Sequence, residues 1–276
     1  MTLSTPSAEP ANVSPATTSV PRWRWWIHLV LIGGYIIPRI ALTFEFPRQG
    51  PALTSSTSGL LIVCVMELVV FAIVFALACL SSRPSRDDLF LRWRPGWWVL
   101  PLGIGYSIAI RVIAGMAVFV VVLILMGSHV LTPASAQQFI ATKRPDVEKL
   151  VDLAALRHNP AYFWLTVTVV SFIVAGLREE MWRAATLAGM RALWPRTFGS
   201  LGGQAAAVAL IAVFFGAGHL QLGLMGAVLA GVLGLFLGFI IMAHRSIWPA
   251  VIAHGFLDAT TFALLPFALE KLGPLH

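Results

Sequence analysis

Apolar residues in this chain come in long blocks separated by short polar stretches, with little of the strict alternation that marks half-buried strands. A helix needs roughly 20 predominantly apolar residues to cross a bilayer core. On that basis seven spans are expected: Trp25–Phe44, Leu60–Leu80, Trp97–Met126, Tyr162–Ala192, Gln204–Leu220, Leu222–Ala243 and Ile247–Leu269. The first is the weakest, because Pro38 and Arg39 interrupt it. The third and fourth are longer than a bilayer requires, so they tilt or protrude into water. An amphipathic segment around Asp146–Leu156 lies in the long connection between them. The expected fold class is therefore an all-α polytopic membrane protein, a single bundle spanning residues 22–276. Residues 1–21 are rich in Ser, Thr, Ala and Pro and contain no Lys or Arg. A secretory signal needs a basic stretch before its apolar core, so these residues read as a disordered tail. Arg22 and Arg24, interleaved with Trp23, Trp25 and Trp26, then form an interfacial anchor.

Composition supports the same class. Hydrophobic residues make up 58% and charged residues 11% of the chain, with a mean hydropathy of +0.83. Soluble domains carry about 25% charged residues, which excludes an ordinary globular enzyme. The net charge of +7 does not imply a nucleic-acid partner. The basic residues sit between apolar blocks, as loops facing an anionic lipid surface do, and no basic soluble module is present. Cys64 and Cys79 share one apolar run, and their helical separation of about 22 Å excludes a disulfide between them. The sixth span carries Gly226, Gly231, Gly234 and Gly238 with Ala227 and Ala230, a stripe for close helix packing and not for chemistry.

The informative residues are the ionisable ones inside apolar spans: Glu67, Arg111, Arg178, Glu179, Glu180, Arg183, His219, His254 and Asp258. A charge at mid-bilayer costs about 2.5–3.5 kcal/mol even on a lenient scale, so such residues face a bundle interior or a wet cavity. Glu179 and Arg183 are four residues apart and are expected to pair on one helix face. Phe215 and His219, and His254 and Asp258, repeat that spacing on two later spans. Acids, imidazoles and a guanidinium on neighbouring spans suit activation of water and stabilisation of an oxyanion. Each piece also has a plain structural reading: an ion pair for Glu179 and Arg183, an interhelical hydrogen bond for His219, an orienting pair for His254 and Asp258. Glu67 and Arg111 are expected to bridge spans two and three. Two histidines and a carboxylate also make a zinc ligand set, but the histidines lie on different spans and no HExxH helix is present.

Three stretches together resemble a known family: GLREEMWRA (Gly176–Ala184), FFGAGHL (Phe214–Leu220) and SIWPAVIAHGFLDA (Ser246–Ala259). They look like the motifs of the CAAX-protease and bacteriocin-processing family, intramembrane endopeptidases related to CAAX prenyl proteases. The resemblance runs from Tyr162 to the chain end, with a core at about residues 160–270. It implies that Glu179 activates water with His219, that His254 and Asp258 orient the peptide or the oxyanion, and that Arg183 holds the Glu179 carboxylate. It also implies a metal-independent reaction without cofactors on a peptide or membrane-protein substrate, in contact with membrane lipid; the plasma membrane is the expected location. One departure concerns the first motif, which in the family has three residues between its paired glutamates and its arginine. Here Met181 and Trp182 alone intervene. Aligned without a gap, the family glutamates fall on Arg178 and Glu179; with a one-residue shift they fall on Glu179 and Glu180. Glu179 is thus the expected base and Glu180 the second candidate, with replacement of Glu180 expected to be milder than that of Arg183. A non-catalytic scaffold or bacteriocin-immunity-type protein of the same fold is the alternative. A transporter lacks support, since no inverted repeat is visible.

Overall fold

A computed structural model describes residues 20–38, 40–41, 54–133, 135–136, 138, 142 and 144–272. The tail expected over residues 1–21 falls almost wholly outside them. Among the described residues the secondary structure is helical, without strands. The helices are α1 (Arg22–Gly34), α2 (Thr57–Ser82), α3 (Val99–Gly127), the short α4 (Leu153–His158), α5 (Pro160–Leu193), α6 (Leu201–Ala217), α7 (Gly223–His244) and α8 (Trp248–Leu272). Among the described residues, five helical stretches are long and apolar enough to cross a membrane: Thr57–Ser82, Gly96–Gly127, Pro160–Leu193, Leu220–His244 and Trp248–Ala268. The protein is thus an integral membrane protein of the helical class. The other two expected spans correspond to shorter helices. α6 has 17 residues and α1 has 13, and the remainder of the first expected span, residues 35–44, is described only in part.

Local signals explain where the helices begin and turn. Ser56, Asp152, Asn159 and Ser200 each accept a hydrogen bond from the backbone N–H three residues on, capping α2, α4, α5 and α6. Pro160 follows its cap at the first helical position, where no N–H is needed. Gly223 turns the chain into α7 at φ +81°, a conformation that a side chain disfavours.

Packing divides the bundle into a lipid-facing and an enclosed part. The apolar windows of α2 and α3 are only 17% and 11% buried, those of α7 and α8 44% each. α8 packs between α3 and the middle of α5, and α6 packs along α7. The small-residue stripe of α7 therefore has its partner: a Cβ on Gly216 of α6 would lie 2.6 Å from the Ala227 carbonyl and 3.2 Å from the Gly231 Cα. The interfacial anchor before the bundle also has a defined role. Arg22 donates to the Leu193 carbonyl at 2.8 Å and Arg24 to the Leu80 carbonyl at 3.0 Å, so both cap helix C-termini.

α1 is fastened to the bundle by His28, which is fully buried. Its Nε2 meets the Ala185 carbonyl of α5 at 3.0 Å, and its Nδ1 lies 2.8 Å from the Ser82 hydroxyl and 3.2 Å from the Ala78 carbonyl of α2. Replacing it by Ala removes these contacts, each worth about 0.5–1.5 kcal/mol, although the Ser82 hydroxyl keeps its bond to the Ala78 carbonyl at 3.0 Å. His28→Ala is expected to lower the thermal unfolding midpoint of the detergent-solubilised protein. An unchanged midpoint would show that water replaces the imidazole without loss.

Candidate active site

The centre of α5 departs from α-helical geometry. Residues Thr166–Leu177 are π-helical, and the Ser171 hydroxyl donates at 2.9 Å to the Thr166 carbonyl five residues back. π turns are rare and recur at functional sites. α geometry resumes at Arg178, so Phe172 and Gly176 do not continue one straight α face with Glu179 and Arg183, as α spacing alone predicts. Gly176 instead faces α8, where a Cβ would stand 3.0 Å from the Val251 carbonyl.

The first two turns beyond the π segment carry Arg178, Glu179, Glu180 and Arg183. Glu180 is fully buried. It accepts from Arg183 through both oxygens, Nε at 3.0 Å and Nη2, and its Oε1 also faces Nδ1 of His254 at 3.0 Å. The Arg183 guanidinium lies 4.2 Å from the Phe215 ring centre. Arg183 is therefore the partner of Glu180 three residues back, and the expected Glu179–Arg183 pair is corrected. The cause is the placement of the neighbours: α6 and α8 bring Phe215 and His254 to the face that Glu180 and Arg183 share. Glu179 has a different cation, Arg178, which donates to its Oε1 at 2.8 Å.

Arg178 is itself buried and also pairs with Glu67 of α2. The expected Glu67–Arg111 bridge is thus corrected as well. Arg111 of α3 turns toward α8, where it donates to the Leu257 carbonyl and to the hydroxyls of Thr260 and Thr261, the last at 3.2 Å. The reason is again packing, because α3 lies against α8.

His219 stands just beyond the end of α6, in the turn leading to α7. Its Nδ1 lies 2.8 Å from the Phe215 carbonyl. A carbonyl accepts only, so Nδ1 carries the proton and, in the neutral ring, Nε2 is the acceptor. His254 is buried on α8 between three acids. With Nδ1 donating to the ion-paired Glu180, its Nε2 faces Asp258 at 3.7 Å and Glu179 at 4.0 Å.

These side chains surround one cavity of about 570 Å³. Glu179, His219, His254 and Asp258 line it, together with Glu67, Arg111 and Arg178. Glu180 and Arg183 do not; they lie behind it as a buried pair. Apolar walls come from α2, α3 and α7, including Val63, Ile110, Leu233 and Phe236. Among the described residues, no group of three His, Cys, Asp or Glu side chains has a metal-holding arrangement. Glu180, expected to be milder to replace than Arg183, is as deeply buried as that arginine. Glu67 and Arg111, expected as a structural bridge, and Arg178, expected as a departure from the first motif, line the cavity as well. Their charge inside apolar spans was the available signal.

Residues 160–260 match the family model described as type II CAAX prenyl endopeptidase Rce1-like. The match agrees with the resemblance carried by the three motifs and points to a CAAX-type protease of the membrane. It contains all six expected site residues, Glu179, Glu180, Arg183, His219, His254 and Asp258, and it ends before none of them. Glu67 and Arg111 lie outside it, on helices earlier in the chain. No curated protein and no solved structure matches the chain.

Proposed function

We propose that the chain is a membrane-embedded endopeptidase in which Glu179 and His219 activate the attacking water. The observation that carries this reading is the division of labour between adjacent glutamates. Both oxygens of Glu180 are occupied by Arg183 and His254, whereas Glu179 reaches the cavity. In this reaction Glu179 takes a proton from water as its oxygen bonds to the peptide carbonyl carbon. His219, with Nε2 as acceptor, holds the same water in place. His254 and Asp258 orient the peptide, and His254 meets the developing oxyanion when it is doubly protonated, with Nδ1–H on Glu180 and Nε2–H as the donor. Collapse of the tetrahedral intermediate breaks the C–N bond, and Glu179 returns the proton to the departing amine. No metal or cofactor is required by this scheme.

A peptide segment presented from the membrane fits the cavity's mix of apolar walls and a polar floor. The test is cleavage of a membrane-presented peptide library by the purified protein in liposomes, with and without chelator. Cleavage insensitive to the chelator is expected. His219→Ala is expected to lower kcat about 10²- to 10⁴-fold, the range for a positioned acid–base group. Wild-type turnover in that variant would remove His219 from the mechanism. The non-catalytic scaffold reading has one observation in its favour, the ion pair that Glu179 makes with Arg178. It expects no cleavage of any library member by the wild-type protein.

A further inference from the structure

A second, much smaller cavity adjoins the site. It shares Arg178, Glu179, Phe215 and His219 with the large one and is bounded otherwise by Tyr35, Ile36, Trp182 and Gly218. Its volume is about 20 Å³. A single water molecule needs roughly 10–15 Å³ measured this way, and two to four polar partners. The residues that line it include four with groups of that kind: Tyr35, Arg178, Glu179 and His219. Tyr35 and Arg178 stand together, with the guanidinium Nη1 donating to the hydroxyl at 3.5 Å. Trp182 contributes only its ring, because its indole N–H donates to the Ile32 carbonyl at 2.8 Å. That bond also fixes the end of α1, and Tyr35 with it, against α5.

We propose that Tyr35 is a further positioning residue of this site, holding one water molecule, with Arg178, against Glu179 and His219. The inference rests on the endopeptidase reading above and adds a residue from outside the 160–260 match. Size is the deciding consideration. The large cavity is far too roomy to fix the position of a single water, whereas the small one is matched to it and touches both the base and its imidazole partner. A water held there is oriented before a peptide arrives, and its ordering cost is met by the fold instead of in the reaction step.

Tyr35→Phe isolates the hydroxyl, because Phe keeps the ring that packs edge-on to Phe71 at 5.3 Å. In full-length protein in liposomes, cleaving a membrane-presented fluorogenic peptide, the variant is expected to lose about tenfold or more in kcat with KM unchanged. A merely structural role would move KM or the unfolding midpoint, and neither is expected to change. Independently of turnover, a structure at a resolution that shows ordered water is expected to place one within hydrogen-bond reach of Glu179 and His219, and to lose it in Tyr35→Phe. Wild-type kcat in the variant, or no water at that position in the wild type, overturns the inference. Absence of any cleavage by the wild-type protein overturns the endopeptidase reading instead, and the water measurement then still decides whether Tyr35 builds the site.

Discussion

Glu179→Gln is expected to abolish peptide hydrolysis while leaving the helical fold intact. Gln keeps the shape of the side chain and still accepts from Arg178, but it no longer takes a proton from water. The loss is expected to be at least about 10²- to 10⁴-fold in kcat, with circular dichroism and the thermal unfolding midpoint close to wild type. Glutamine fills the same space and leaves no charge behind, which makes a large activity effect compatible with a small stability effect. Full activity in Glu179→Gln together with an inactive but folded Glu180→Gln would reassign the base. Loss of neither activity, in a protein that does cleave its substrate, would falsify the glutamate mechanism.

Arg183→Ala is expected to damage assembly first and activity as a consequence. Its guanidinium is buried against Glu180, which has no exposure at all. Removing one member of a buried, hydrogen-bonded ion pair leaves the other charge without compensation, at a cost of about 3–5 kcal/mol. The same substitution empties the space beside Phe215 and frees Glu180 to pull on His254, so the ring that faces Asp258 and Glu179 loses its fixed orientation. A lower yield of folded protein, a reduced unfolding midpoint in detergent and impaired turnover are all expected. Arg183→Lys is expected to rescue only part of the effect, because an ammonium cannot make the two-pronged contact with a carboxylate. Glu180→Gln is expected to show the same order of effects, stability before activity. A variant Arg183→Ala with wild-type midpoint and turnover would show that the pair carries neither function.

Much of the architecture was already legible along the chain. Long apolar blocks predict membrane-crossing helices because, in hydrocarbon, a helix satisfies its own backbone polar groups. The cost of an ionisable group in lipid predicts that Glu179, His219, His254 and Asp258 turn inward to a shared cavity, and the structure gathers all four around one. Span counting was less secure at Trp25–Phe44 and Gln204–Leu220, where helices of 13 and 17 residues stand in the expected places. Length and hydropathy do not say whether so short a helix crosses the bilayer or is sheltered within the bundle.

Partner choice, by contrast, belonged to the tertiary structure. Helical spacing assigned Arg183 to Glu179 and span adjacency assigned Arg111 to Glu67. The bundle assigns Arg183 to Glu180, Arg178 to both Glu67 and Glu179, and Arg111 to the hydroxyls and carbonyl of α8. The i+3 and i+4 positions on a helix are nearly equivalent to a long guanidinium, so the surroundings decide between them. Here they are the Phe215 ring and His254 imidazole delivered by α6 and α8, and a π-helical stretch that alters the phase of everything after Leu177. The contact between Tyr35 and Arg178 joins residues 143 positions apart and has no periodic trace. Hydrophobic pattern determines which groups must leave the lipid, because that cost is paid residue by residue; which groups then meet depends on helix crossings that no local pattern encodes.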